Sequence, residues 1–381
     1  MKQQIYLDYN ASAPLHPDSL RIIRTIFESE NGHGAYNASS VHHYGRQGRK
    51  FVEDARRQVA NLINADTNQV IFNSGATEGN NTVLHHFANQ YPQERILISA
   101  AEHPSVAQAL PHFKNLEVIP LNKDGMINEK ALEQLCENAQ DISLISCMYA
   151  SNETGTIQDI NTLAQIAHQN GALFHCDATQ AAGRIPVDMK KSGIDFLTLS
   201  SHKIGGPQGV GALALGLCGQ TPTLILGGGQ EKSARAGTEN VAGIAGFGAA
   251  ANAALNNLDE YQNLETLRSG LEQKLKNLSP DIVIHGENTP RTVNTSFFSL
   301  PGSNAQSLLM ALDLDGIAIS NGSACSSGSV KPSETLKAMG LNEKITTSAL
   351  RLSMGWATKE SDIDAFLTAW NKIQARIEKK R

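Results

Sequence analysis

The sequence predicts an α/β protein: a mostly parallel sheet with helices on both faces, joined to a smaller α+β region. Three observations carry this expectation. Short apolar runs alternate with stretches of helical spacing up to about residue 255. The pattern then changes to a polar helical stretch followed by strands and helices. With 381 residues, the chain is also longer than one hydrophobic core usually serves, so two lobes are expected.

The expected strands of the large sheet are residues 70–72, 96–99, 117–121, 142–148, 173–176, 196–199 and 211–215. Between them, residues 46–62, 78–86, 129–138 and 160–168 repeat apolar positions at helical spacing. Residues 241–255 are the most apolar stretch, but they are rich in Ala and Gly and contain Asn252; a tightly packed core or interface helix fits them better than a membrane span. Beyond Asn256 come a polar helix over 261–276 and strands near 282–285 and 292–298. The division expected is a large α/β domain over 16–255 and a small α+β domain formed by 1–15 and 256–381, with a loop at about 320–330. No internal repeat or low-complexity segment interrupts it.

Composition excludes several functions. The net charge of −5, without a dense basic patch, does not favour direct nucleic-acid binding. The basic run from Arg376 to Arg381 reads as a solvated helix end. Residues 1–8 lack a signal-peptide apolar region, so a cytoplasmic location without membrane contact is expected. Five cysteines with no C-x-x-C pair indicate neither a disulfide framework nor a metal site. Cys136, Cys147, Cys176 and Cys218 read as ordinary small hydrophobes. Neither a dinucleotide-binding G-x-G-x-x-G nor a Walker phosphate loop stands in a usable context.

Chemistry concentrates where the apolar strands end. Phe196-Leu197-Thr198-Leu199-Ser200-Ser201-His202-Lys203 closes on a hydroxyl, an imidazole and an amine. Lys203 is either a surface lysine or an amine kept for covalent chemistry, since desolvation favours a neutral, nucleophilic form. Asp177 ends another strand and offers the carboxylate that a pyridine-type carbonyl cofactor needs at its ring nitrogen. Gly75, Ala76 and Thr77 open a helix after a strand, either as a phosphate cradle or as a plain cap. Ser200 and His202 add donors beside them. Pro104 keeps His103 extended, so its ring can lie over an aromatic plane and shuttle protons, or simply bond within the loop. Asn152 stands in a polar turn at the same sheet edge. Arg351 alternates with apolar residues, as a buried fork for a carboxylate or as half of a structural ion pair. Cys325 lies among serines and glycines with no apolar anchor, where an exposed, movable nucleophile fits better than an accidental surface cysteine.

Together these segments resemble the cysteine desulfurases (the NifS/IscS-like enzymes), a branch of the class V aminotransferase-like pyridoxal phosphate enzymes. The resemblance runs from Tyr6-Leu7-Asp8-Tyr9-Asn10-Ala11 to the Arg351 segment and includes Gly227-Gly228-Gly229-Gln230-Glu231 and Arg235-Ala236-Gly237-Thr238-Glu239-Asn240-Val241. It implies the fold type I architecture with a seven-stranded sheet and pyridoxal 5'-phosphate as cofactor. It implies that Lys203 binds the cofactor covalently, Asp177 pairs with its ring nitrogen, Gln180 bonds its phenolic oxygen and His103 stacks on it. Gly75, Ala76, Thr77, Ser200 and His202 would hold the phosphate, with Thr238 reaching across from a second subunit of a homodimer. Asn152 and Arg351 would grip L-cysteine, and Cys325 would take its sulfur as a persulfide, leaving L-alanine. Acceptors would be iron–sulfur scaffold and sulfur-carrier proteins, and Cys325 would be the only group to meet a metal, transiently, on a cluster such a scaffold holds. Ser12, Ala13 and Ser151 depart from the family's common pattern. Selenocysteine lyases, other class V lyases or aminotransferases, and an inactive scaffold are the alternative readings.

Overall fold

The computed structural model describes residues 4–28, 36–109, 112–137, 141–322 and 332–378. After a short strand β1 (Ile5–Tyr6), the strands β2 (Val70–Asn73), β3 (Arg95–Ser99), β4 (Leu116–Ile119), β5 (Ile142–Met148), β6 (Leu173–Asp177), β7 (Phe196–Ser200) and β8 (Gly211–Leu215) follow. Strands β2 to β8 form one seven-stranded sheet in the order β2-β8-β7-β6-β5-β3-β4. Only β8 runs antiparallel to its neighbours, so the sheet is mostly parallel, as expected. Every residue of β5 and β7 is buried, because helices cover both faces. Strand β4 stops two residues short of the expected end, where Pro120 has no N–H to extend the ladder.

Two helix starts lie further upstream than apolar spacing alone suggests, while those at Glu129 and Ile160 fall where expected. The helix His43–Leu62 begins where the His42 ring accepts the Gly45 N–H at 3.2 Å. The helix Ala76–Gln90 begins directly after Gly75. The apolar stretch becomes the helix Val241–Asn256, buried along most of its length between the helices Pro17–Phe27 and His43–Leu62. Glycines set this close approach: a Cβ at Gly248 would come within 2.5 Å of the Ala55 backbone.

The expected polar helix over 261–276 divides into Leu258–Tyr261 and Leu264–Leu278. Beyond it, β9 (Val283–Ile284), β10 (Thr295–Ser299) and β12 (Ala349–Ser353) form an antiparallel sheet in the order β12-β10-β9, and β11 (Ile317–Ala318) pairs with β1 in parallel. Strands β1, β11 and β12 are additional to the expected set. A second hydrophobic core gathers Ile5 and Leu7 with Leu271, Leu275, Phe298, Phe366 and Trp370. The amino-terminal segment thus crosses from one core to the other. Among the described residues, no helix is long and apolar enough to cross a membrane.

Candidate active site

The carboxyl ends of β2, β3, β5, β6 and β7 open on one side of the sheet, over a cavity of about 1000 Å³. Gly75, Ala76, Thr77, His103, Asn152, Asp177, Gln180, Ser200, His202, Lys203 and Arg351 all line it. Thr238 does not; it is exposed, in a smaller hollow with Ser74, Gly209 and Arg235. Cys325 lies outside the described residues.

Lys203 ends the 3-10 turn Ser201–Lys203 that follows β7. Its turn closes because Gly206 has no side chain: a Cβ there would lie 2.0 Å from Ser201 Oγ. The amine donates to the carbonyls of Asn10 (2.7 Å) and Ala11 (2.9 Å). Burial first, then the charges of Arg351 and Arg184, pull its pKa down to about 7. A substantial neutral fraction therefore exists near neutral pH.

Asp177 is the last residue of β6 and is buried. Its Oδ2 accepts from Asn80 Nδ2 at 2.8 Å and its Oδ1 from the Thr179 N–H at 2.9 Å. These donors hold the carboxylate while leaving lone pairs directed to the cavity. Across the cleft floor, Gly75 has a φ of +146°, and a Cβ there would meet nothing within 4 Å. The helix Ala76–Gln90 has no side-chain cap, which leaves the N–H groups of its first turn to an outside acceptor. Ser200 is buried nearby, and His202 Nδ1 lies 3.2 Å from Ser12 Oγ. Burial, followed by the charges of Lys203 and Arg184, lowers the His202 pKa to about 4, so the ring is neutral.

His103 follows β3 and caps the short helix Pro104–Ala107. Burial also lowers its pKa. Gln180 is held at both ends: its Nε2 donates to the Asn10 carbonyl at 3.0 Å, and its Oε1 accepts from Arg184. Arg351 Nη2 pairs with Asp8 at 2.7 Å, and Nη1 donates to the Asn152 carbonyl at 2.8 Å. The ion-pair alternative for Arg351 is thus realised with Asp8, while its buried Nε has no partner.

Sequence reasoning assigned no role to Asp8, Asn10, Asn80, Glu102 or Arg184. Asp8 and Asn10 alternate with buried Leu7 and Tyr9, the available signal that both face the opposite side. Arg184 follows Gln180 by one helical turn in a stretch of small residues. Glu102 carries a stronger signal, a carboxylate directly after an apolar strand. Its Oε1 accepts the Met148 N–H at 2.6 Å, and its Oε2 is buried without a partner. Burial first, then the nearby Asp177, push its pKa well above the usual carboxylate range.

The chain matches the family model described as "Aminotransferase class-V" over residues 5–366. It is 36% identical to the cysteine desulfurase IscS of Dictyoglomus turgidum over 388 residues, covering 100% of this chain and 96% of the relative. It is 37% identical to a cysteine desulfurase of Nostoc sp. over 379 residues, covering 98% and 93%. Among solved structures, a NifS-like protein from Rickettsia africae superposes with a TM-score of 0.89 at 36% identity, covering 97% of this chain and 99% of the other. The architecture is therefore that of fold type I, and the chain belongs to the class V aminotransferase family, in its cysteine desulfurase branch.

Proposed function

We propose that this chain is a pyridoxal 5'-phosphate-dependent cysteine desulfurase that converts L-cysteine to L-alanine and places the sulfur on Cys325. One observation carries the reading: the Lys203 amine and the Asp177 carboxylate line a single cavity beside an uncapped helix N-terminus. That donor set fits the cofactor's three polar features, an aldehyde, a ring nitrogen and a phosphate. A structural relative at 26% identity, SspA, is described in complex with cysteine.

When bound, the cofactor's protonated ring withdraws electrons from the substrate's α carbon. The chain supplies the rest. Lys203 holds the cofactor, and its lowered pKa lets the released amine accept the α proton. Asp177 keeps a proton on the ring nitrogen. The first turn of the helix Ala76–Gln90, with Thr77, Ser200 and His202, holds the phosphate. Asn152 and Arg351 orient the substrate carboxylate, and Gln180, fixed by Arg184, directs an amide hydrogen into the cleft. The Cys325 thiolate attacks the substrate sulfur: an S–S bond forms, the C–S bond breaks, and the freed carbon takes a proton to become alanine's methyl group. Thr238, outside its own cleft, would serve the second subunit of a homodimer. The division into a domain over 16–255 and one over 1–15 and 256–381 belongs to the same reading, as do a cytoplasmic location and delivery to iron–sulfur scaffolds or sulfur carriers.

Purified protein incubated with L-cysteine should be yellow and yield alanine and protein persulfide in equal amounts. Cys325→Ala should keep the colour and lose the persulfide. Lys203→Ala should lose alanine formation. Protein that takes up no pyridoxal 5'-phosphate, or makes alanine equally well without Cys325, would refute the proposal.

A further inference from the structure

Two of the proposed reactive groups are joined by residues with no role so far. Asn80 is fully buried. Its side-chain nitrogen donates to Asp177 Oδ2 at 2.8 Å and to Ser105 Oγ at 2.9 Å. Ser105 Oγ lies 2.9 Å from His103 Nδ1, and the Ser105 backbone N–H donates to that same ring nitrogen at 3.1 Å.

Donor and acceptor rules place each hydrogen in this chain of contacts. A carboxylate only accepts, so Asn80 turns its NH2 group, not its oxygen, towards Asp177. The second amide hydrogen goes to Ser105 Oγ, whose own hydrogen is then left for His103 Nδ1. A backbone N–H only donates, so Nδ1 must present a lone pair. The neutral ring therefore carries its proton on Nε2.

We propose that Asn80 and Ser105 are positioning residues that fix His103 as the Nε2–H tautomer, with the Asp177 carboxylate as the anchor of that choice. The ring then meets the cleft as a proton donor through Nε2, and Nδ1 is withheld from the reaction. The tautomer assignment stands on hydrogen-bond polarity alone; its use in catalysis rests on the desulfurase reading. Other charged groups act on the ring as well. Asp177 at the end of β6 favours its protonated form, and Lys203 beyond β7 favours the neutral one. Glu102 precedes it on the same loop, and Glu78 of the helix Ala76–Gln90 lines the same cavity. Burial is the largest influence and keeps the ring neutral, the form in which the tautomer matters.

Side-chain nitrogen NMR of histidine-labelled full-length protein tests this, with His103 assigned by comparison with His103→Gln. The wild-type ring should show Nε2–H in its neutral form. Ser105→Ala removes a hydrogen bond to that form, so the ring pKa should rise by about half a unit to one unit. Ser105→Thr, which keeps the hydroxyl, should restore the wild-type value. A wild-type neutral ring protonated at Nδ1 would overturn the proposal, whatever the Ser105 variants do. An unchanged ring pKa in Ser105→Ala would also overturn it. A protein that lacks desulfurase activity yet shows the Nε2–H ring would refute the functional reading and leave this assignment standing.

Discussion

Glu102 shows how burial acts on a single carboxyl. Among the carboxyls that line the cleft, Asp177 is supplied with donors on both oxygens. Glu102 has a single backbone donor and is buried, so desolvation first, then the nearby Asp177, raise its pKa well above the usual carboxylate range. This has a signed consequence for stability. A raised folded pKa means that the folded state binds more protons than the unfolded one as pH climbs from about 4.5, so this residue's contribution falls as pH rises. Glu102→Gln cannot ionise in either state. Its stability relative to wild type should rise as pH climbs above about 4.5, measured by urea unfolding at each pH. A difference that stays flat across this range would show that Glu102 ionises normally. The residues lining the cleft were legible because polar side chains stood at the ends of apolar runs. Asn10 and Arg184 were not: Asn10 bonds Gln180 across 170 positions of sequence, and Arg184 across 174. No local pattern encodes a partner at that distance.

At the level of elements, apolar runs located all seven strands of the large sheet, where the misplacements fell at ends, while β1, β11, β12 and the break in the 261–276 helix went unseen. Those ends are set by single side chains or single missing hydrogens, such as the His42 cap and Pro120, which apolar spacing does not register. Least legible was the turn before Ala234. Glu231, Lys232 and Ser233 have φ values of 45°, 57° and 66°, three left-handed residues in succession with no glycine among them. The turn persists because Arg56 grips both oxygens of Glu231 at 2.6 and 2.8 Å, inside the protein. Left-handed backbone costs a side-chain-bearing residue about 1–3 kcal/mol, and glycine's extra freedom when unfolded costs about 0.5–1 kcal/mol. Ser233→Gly should therefore stabilise the protein by about 1 kcal/mol, seen as a higher unfolding midpoint. A loss of stability would mean that the Ser233 side chain contributes more than its backbone strain takes away.

Across the whole molecule, Asn10 ties the sheet to the second core. Its backbone N–H bonds Ser353 at 2.9 Å and its Nδ2 bonds Thr295 at 3.0 Å, both in the small antiparallel sheet. Its Oδ1 accepts from Arg184 at 2.7 Å and from Asn294 at 3.0 Å, while its carbonyl receives Lys203 and Gln180. Asn10→Ala would leave the buried Arg184 and Asn294 short of an acceptor. The expected loss is about 3 kcal/mol, measured by thermal or denaturant unfolding. A loss under about 0.5 kcal/mol would mean that other groups close the gap.

The large sheet also has an outer rim at β2, whose Val70 carbonyl and Phe72 N–H face away from β8. Arg56 donates to the first at 2.9 Å, and Glu231 accepts from the second at 2.8 Å. An uncovered border strand invites a neighbouring molecule to continue the ladder, the first step towards fibrous polymers. Here a cation and an anion sit on the rungs that an incoming strand would need, so two side chains do the shielding for which other proteins spend a helix.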